Sequence, residues 1–150
     1  RMLLVLFLWE IKMKAIVYVD GKSSPPFTNK SEDLSVLSSE NIDSLPDAVF
    51  EEIELLDVLE FSERPEILEV AIKKLRHGGK IKITGTDALQ VIKSAAFGMC
   101  DLEHASSVML GGRNKLVSAH NLKEGLSSVG LNVTLVGIVG YKYVVEAQRQ

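Results

Sequence analysis

Cysteine is almost missing from this chain, with Cys100 the only one among 150 residues. A single thiol closes no internal disulfide, and no Cys/His group has metal-ligand spacing, so a disulfide scaffold and a zinc module are both excluded. The same scarcity fits a reducing compartment, and a cytoplasmic protein is expected. No motif marks Cys100 as a nucleophile, and a small core residue is the reading it supports. Glycine signatures are missing as well. Neither a G-x-G-x-x-G fingerprint nor a lysine phosphate loop occurs, which argues against the common dinucleotide and P-loop modules. Basic clusters are lacking too: the net charge is −3, Lys and Arg are scattered, and aromatics make up 6%. Nothing therefore draws the chain to nucleic acid or to an anionic membrane. The longest apolar run, Met2–Trp9, falls short of the roughly 20 residues that span a bilayer. It has no small-residue cleavage site before Glu10 and reads as a buried strand; Met13 is an alternative start that would make residues 1–12 an upstream extension.

What is present is an ordinary globular balance, 46% apolar and 25% charged. The length fits one domain that buries about 70% of its unfolded surface. "KAIVYVD" (Lys14–Asp20) reads as a strand running into the turn formers "GKSSPP". "LSVLS" (Leu34–Ser38) reads as a second short strand. In "FEEIELLDVLEF" (Phe50–Phe61), alternation gives way to a solid apolar run, so Glu52–Leu59 is expected as a strand buried on both faces. A helix follows, opened by Ser62, Glu63 and Pro65, carried by Ile67, Leu68, Ala71, Ile72 and Leu75, and closed by Gly78-Gly79. "KIKITG" (Lys80–Gly85) is a strand. Asp87–Phe97 is a helix capped by Thr86 or Asp87 and stopped by Gly98. Residues 99–117 look irregular. A further helix runs from Ala119 to Val129 after Ser118, and two strands joined across Gly140 make a closing hairpin. Strand–helix–strand order implies a parallel sheet with right-handed crossovers, and the hairpin adds an antiparallel strand near the edge.

"FEEIELLDVLEF", "ILEVAIKKLRHGGKIKIT" and "NLKEGLSSVGLNVTLVGIVGYKYVVEAQR" together resemble, in order and spacing, the later part of class I S-adenosylmethionine-dependent methyltransferases. The likeness covers roughly Leu34 to Arg149. It implies an α/β, Rossmann-like three-layer fold with a mostly parallel sheet ending in an antiparallel hairpin. It also implies S-adenosylmethionine as cofactor, methyl transfer to an unidentified acceptor, and a site across the carboxyl ends of the strands. Asp57–Phe61 would then end the family's fourth strand, with Asp57 beside the methyl donor and Glu60 at the strand mouth facing ligand or solvent. The alternative for Glu60 is a cap on the next helix. Asp20 would end the family's second strand and bind the ribose hydroxyls, with Gly21 beside it; otherwise Asp20-Gly21 is a plain turn. In that register the true first strand is missing or replaced by "LLVLFLW"; in the other, "AIVYVD" is itself the first strand. Asn41, with Ile42, falls where the family has an acid near the adenine amino group, and an amide can accept that hydrogen bond. His104 lies where the family often contacts substrate.

The chain departs from the family in two places. The Gly-rich first turn does not occur, and the family's "VLEH" histidine is Phe61, which moves no proton. A second reading stands beside the enzyme: a non-catalytic binding or assembly module, self-associating through the sheet edge that a lost first strand would expose.

Overall fold

The computed structural model describes residues 13–22 and 33–150. The expectations for Met2–Trp9 and for the loop after Lys22 lie outside the described residues.

Period-two alternation decides which side of each strand is apolar. Ala15 and Val17, Ile53 and Leu55, Ile81 and Ile83, and Tyr143, Val145 and Ala147 are all buried in one cluster. They belong to β1 (Lys14–Tyr18), β3 (Phe50–Leu56), β4 (Leu75–Thr86) and β6 (Lys142–Gln148). With β2 (Leu34–Ser38) and β5 (Asn132–Val139) these form one six-stranded sheet in the order β2-β1-β3-β4-β6-β5. The pairs among β1 to β4 are parallel, and β6 runs antiparallel to both β4 and β5. The expected parallel sheet with a closing hairpin is thus present, and β6 is inserted inside the edge strand.

The helices are α1 (Val58–Phe61), α2 (Ile67–Lys74), α3 (Ala88–Ala96), α4 (Leu102–Leu110) and α5 (Ala119–Ser128), with a 3₁₀ turn at Ser39–Ser44. Ile67 and Ala71 of α2 and Leu122 and Leu126 of α5 close the same core as the strands. Across the sheet the alternate residues are charged in place: Lys14 meets Glu52 at 3.2 Å and Lys82 meets Glu54 at 4.0 Å, both as direct cross-strand neighbours. Among the described residues no helix is long and apolar enough to cross a membrane.

Several boundaries differ from expectation. Strand β3 stops at Leu56, short of Leu59, because Asp57 turns into the left-handed region at φ 55°. Helix α2 starts at Ile67; Ser62 Oγ accepts from the Arg64 amide in a turn ahead of it. The helix ends at Lys74, before the two glycines, where Leu75 returns to extended backbone and pairs with Phe50. Gly78-Gly79 instead absorbs the irregularity between that pair and the Glu52–Lys80 pair, with Gly78 at φ 79°. The segment read as irregular contains α4, capped by Asp101, whose carboxylate accepts from the His104 amide. Cys100 is half-buried just ahead of it. The predicted Ala119 helix and the Gly140 hairpin form as read, with Ser118 capping the helix. β1 pairs directly with β3, so among the described strands no gap opens between them. Among the described strands the edges are β2 and β5, and β5 carries exposed Leu135, Val136, Ile138 and Val139.

Candidate functional site

Strand order reverses between β1 and β3: from β1 the chain moves outward to β2, and from β3 it moves the other way to β4. In open parallel sheets that switch point leaves a crevice outside the carboxyl ends of the strands, because the two connections diverge. The segments that meet there are Val19–Lys22 after β1, the 3₁₀ turn after β2, Asp57–Phe61 after β3, and Thr86-Asp87 after β4. Because β6 is antiparallel to β4, its first residue, Lys142, pairs with Thr86 and brings the Gly140-Tyr141 turn to the same end.

The turn after β1 is tight. The Lys22 amide donates to the Val19 carbonyl at 3.1 Å, and Gly21 takes φ 74°, which a side chain would resist. A Cβ at Gly21 would meet nothing within 4 Å among the described residues. Asp20 is exposed in this turn. Extending the Val17–Leu55 register brings Val19 level with Asp57. The turns that carry Asp20 and Asp57 therefore follow neighbouring parallel strands at the same end of the sheet. β1 has the inner position beside β3, with no strand between them. Among the described strands, "AIVYVD" therefore occupies the inner place beside β3.

At the end of β2, the Ser38 hydroxyl is buried without a hydrogen-bond partner among the described residues. Asn41 is exposed; its carbonyl accepts from Ser44 Oγ at 2.6 Å. Ile42 is fully buried in the core, so its side chain packs the 3₁₀ turn and does not reach a ligand.

Asp57 and Glu60 part company. The amide of Asp57 donates to the Thr84 carbonyl at 3.0 Å, and its carboxylate pairs with Lys142 Nζ at 3.6 Å. The left-handed turn keeps this side chain partly exposed at the rim. Glu60 was expected at the mouth facing ligand or solvent. The helical turn Val58–Phe61 swings it inward instead, and it is 1% exposed. Tyr143 Oη donates to its Oε1 at 2.8 Å, while Oε2 has no partner. Burial pushes the Glu60 carboxyl above the usual range, partly offset by the Tyr143 hydrogen bond. Burial, with the Glu60 charge next, also pushes the Tyr143 phenol up. Gly85 makes this pair possible: a Cβ there would collide with Glu60 Oε1 and stand 2.7 Å from the Tyr143 hydroxyl. Neither the helix-cap nor the ligand-facing reading of Glu60 describes it.

Sequence reasoning passed over Lys22, Arg113 and Lys142. Arg113 lies 4.9 Å and Lys22 Nζ 5.7 Å from the Phe61 ring centre, so the residue replacing the family's histidine is a platform for cations. Asp87 is fully committed to structure: its two oxygens accept from the amides of Gln90 and Ala119 at 3.0 and 2.9 Å. His104 is exposed on α4, with its ring 5.8 Å from that of Tyr141, next to Lys142. A separate cleft of about 560 Å³ lies between the start of α2 and α5, lined by Leu59, Arg64, Asn114, Leu116 and Leu122 among others. Asp20, Asn41 and Asp57 do not line it. Among the described residues no group of His, Cys, Asp and Glu is arranged to hold a metal.

No protein-family model matches the sequence, and no curated protein does. Solved structures match along nearly the whole chain. A SAM-dependent methyltransferase from Aquifex aeolicus shares 15% identity at a TM-score of 0.55, over 97% of this chain and 88% of that one. One from Mesorhizobium loti shares 11% at 0.59, over 99% and 96%. Another from Archaeoglobus fulgidus shares 12% at 0.58, over 99% and 91%.

Proposed function

Since the chain carries the fold of S-adenosylmethionine-dependent methyltransferases, we propose that it binds that cofactor at the β1/β3 switch point and transfers its methyl group to an acceptor. The observation that carries this reading is the polar chemistry gathered at one end of the sheet. Asp20 and Asn41 stand exposed at the ends of successive elements, and among the described residues nothing crowds Gly21 and the buried Ser38 hydroxyl lacks a partner. These residues fit a nucleoside: a carboxylate for vicinal hydroxyls, an amide for an exocyclic amine, and a glycine turn that admits close approach. Asp20 follows the inner strand, not the second one that its ribose role presupposed, so it would reach the ribose from the first turn; Asn41 and the backbone of Ile42 would take the adenine side, and Asp57 the rim beside the sulfonium. His104, exposed against Tyr141, would meet the acceptor. Glu60 is proposed as a positioning residue that acts through Tyr143.

The bound cofactor would supply a methyl carbon already activated for in-line displacement. The protein's task is then orientation and exclusion of water, which requires no nucleophile and no resident base. That accommodates Phe61 in place of the family's histidine. The lone thiol is in keeping with a cytoplasmic setting. The lack of a Gly-rich first turn favours the second reading, a relative that keeps the fold as a binding module. Calorimetric titration with S-adenosylhomocysteine separates the two. Micromolar binding that weakens at least about tenfold, roughly 1.4 kcal/mol, in Asp20→Ala supports the enzyme. A well-folded chain that takes up no ligand supports the module.

A further inference from the structure

We infer that Arg113, Lys142 and Lys22 form a subsite for an anionic group, carboxylate or phosphate, of the molecule that occupies the strand mouth. Arg113 Nη2 and Lys142 Nζ both reach the Thr86 hydroxyl, at 3.5 and 3.3 Å. Two like charges are thus held over one small oxygen. Arg113 Nη1 donates to the Val108 carbonyl at 2.6 Å, while Nε is buried with no acceptor among the described residues. Lys22 is held near the same ring as Arg113, and a Cβ at Gly112 would approach its Nζ to 3.0 Å.

Negative charge is short around these cations. Among the described residues Asp57 is the one carboxylate in an ion pair with any of them, through Lys142. Among the described residues neither Arg113 nor Lys22 has a carboxylate within ion-pair distance. Asp87 faces the other way, into two helix amides. Glu60 is occupied by Tyr143 and is held toward its neutral form by burial. Arg113 feels the Glu60 carboxyl electrostatically but makes no direct ion pair with it, and a partly buried guanidinium without a direct counter-ion favours an anion beside it. The planar fork of Arg113 and the point charge of Lys142 are the pair of donors that a carboxylate or phosphate takes.

Titration of inorganic phosphate into the full chain, followed by the amide shifts of Thr86, Gly112 and Arg113, reads the subsite directly. Saturable shifts are expected, with affinity reduced at least about tenfold in Arg113→Gln and in Lys142→Gln and unchanged in Lys123→Gln. Lys142 is largely exposed, so its variant keeps the test alive should Arg113→Gln fail to fold. Absence of saturable shifts, or equal affinity in the folded variants, overturns the proposal. The source of the anion is a separate arm and rests on the proposed function. Competition of phosphate with S-adenosylhomocysteine but not with 5′-methylthioadenosine assigns the subsite to the cofactor's carboxylate. Simultaneous binding of phosphate and S-adenosylhomocysteine assigns it to the acceptor. Phosphate binding in a chain that ignores both nucleosides leaves the subsite standing and removes the methyltransferase reading.

Discussion

Replacing Gly85 with alanine tests the buried Glu60–Tyr143 pair at its tightest point. The new methyl would overlap Glu60 Oε1 and lie 2.7 Å from both Glu60 Cδ and the Tyr143 hydroxyl. Both side chains are enclosed, at 1% and 0% exposure, so neither can swing into solvent. Overpacking of this kind costs about 1–3 kcal/mol. Displacing the carboxyl also strains or breaks the hydrogen bond to Tyr143, worth about 1 kcal/mol. Against this, alanine suits a strand better than glycine by roughly 0.5–1 kcal/mol. The net loss is therefore about 2 kcal/mol, the steric term deciding the sign. In a domain of this size that lowers the melting temperature by about 4–8 °C. Urea and thermal unfolding measure it, and the cycle with Glu60→Ala assigns it. With the carboxyl gone, the hardest clash is removed and the Tyr143 hydroxyl can shift into the vacated space, so the double variant should cost at least about 1 kcal/mol less than the sum of the singles. A loss under about 0.5 kcal/mol in Gly85→Ala, or strict additivity in the cycle, would refute the packing described here.

Three further outcomes follow from the same geometry. The Glu60 carboxyl is pushed up by burial, so its contribution to stability is full below the ordinary glutamate range and is lost as pH rises through the raised native value. Glu60→Gln lacks that loss; its melting temperature should gain on the wild type from acid to neutral pH, and a gap that moves the other way contradicts the assignment. Asp87→Ala removes the caps of two helices at once and should cost roughly 2–3 kcal/mol in urea unfolding, with Asp87→Asn intermediate because one oxygen remains. Asp57→Gly relieves a left-handed residue at φ 55° and gives up only an exposed ion pair, so stability should hold or rise by about 0.5–1 kcal/mol while nucleoside affinity falls; stability and affinity falling together would count against Asp57 as a rim ligand.

Much of the scaffold was legible because its signals are local. The alternation of "KIKIT", the Asp87 and Ser118 caps and the Gly140 turn each specify an element without help from distant residues. The failures share a cause, which is that tertiary packing decided them. The apolar run after Leu56 gives no sign that Asp57 turns left-handed, so a helical turn passed for strand. Helix α4 has a capping aspartate, but its apolar residues Leu102 and Leu110 face outward, and no buried stripe announces it. Leu75 leaves its helix to pair with Phe50, a contact across the chain that outweighs the two glycines as terminators. At the proposed site, Asp20, Asn41 and Asp57 could be named from their places near strand ends. Glu60 was misjudged because its partner, Tyr143, and the glycine that makes room for it lie on other strands. The three cations were missed for the same reason: Lys22, Arg113 and Lys142 are far apart in sequence and meet only around Phe61 and Thr86.

The location of the nucleoside is the claim on which the functional account rests, and amide shift mapping with S-adenosylhomocysteine tests it most directly. Saturable shifts concentrated at Asp20-Gly21, Asn41-Ile42 and Asp57 are the predicted result. Shifts centred on Leu116 and Leu122 in the cleft between α2 and α5, or no shifts from a folded chain, would contradict it.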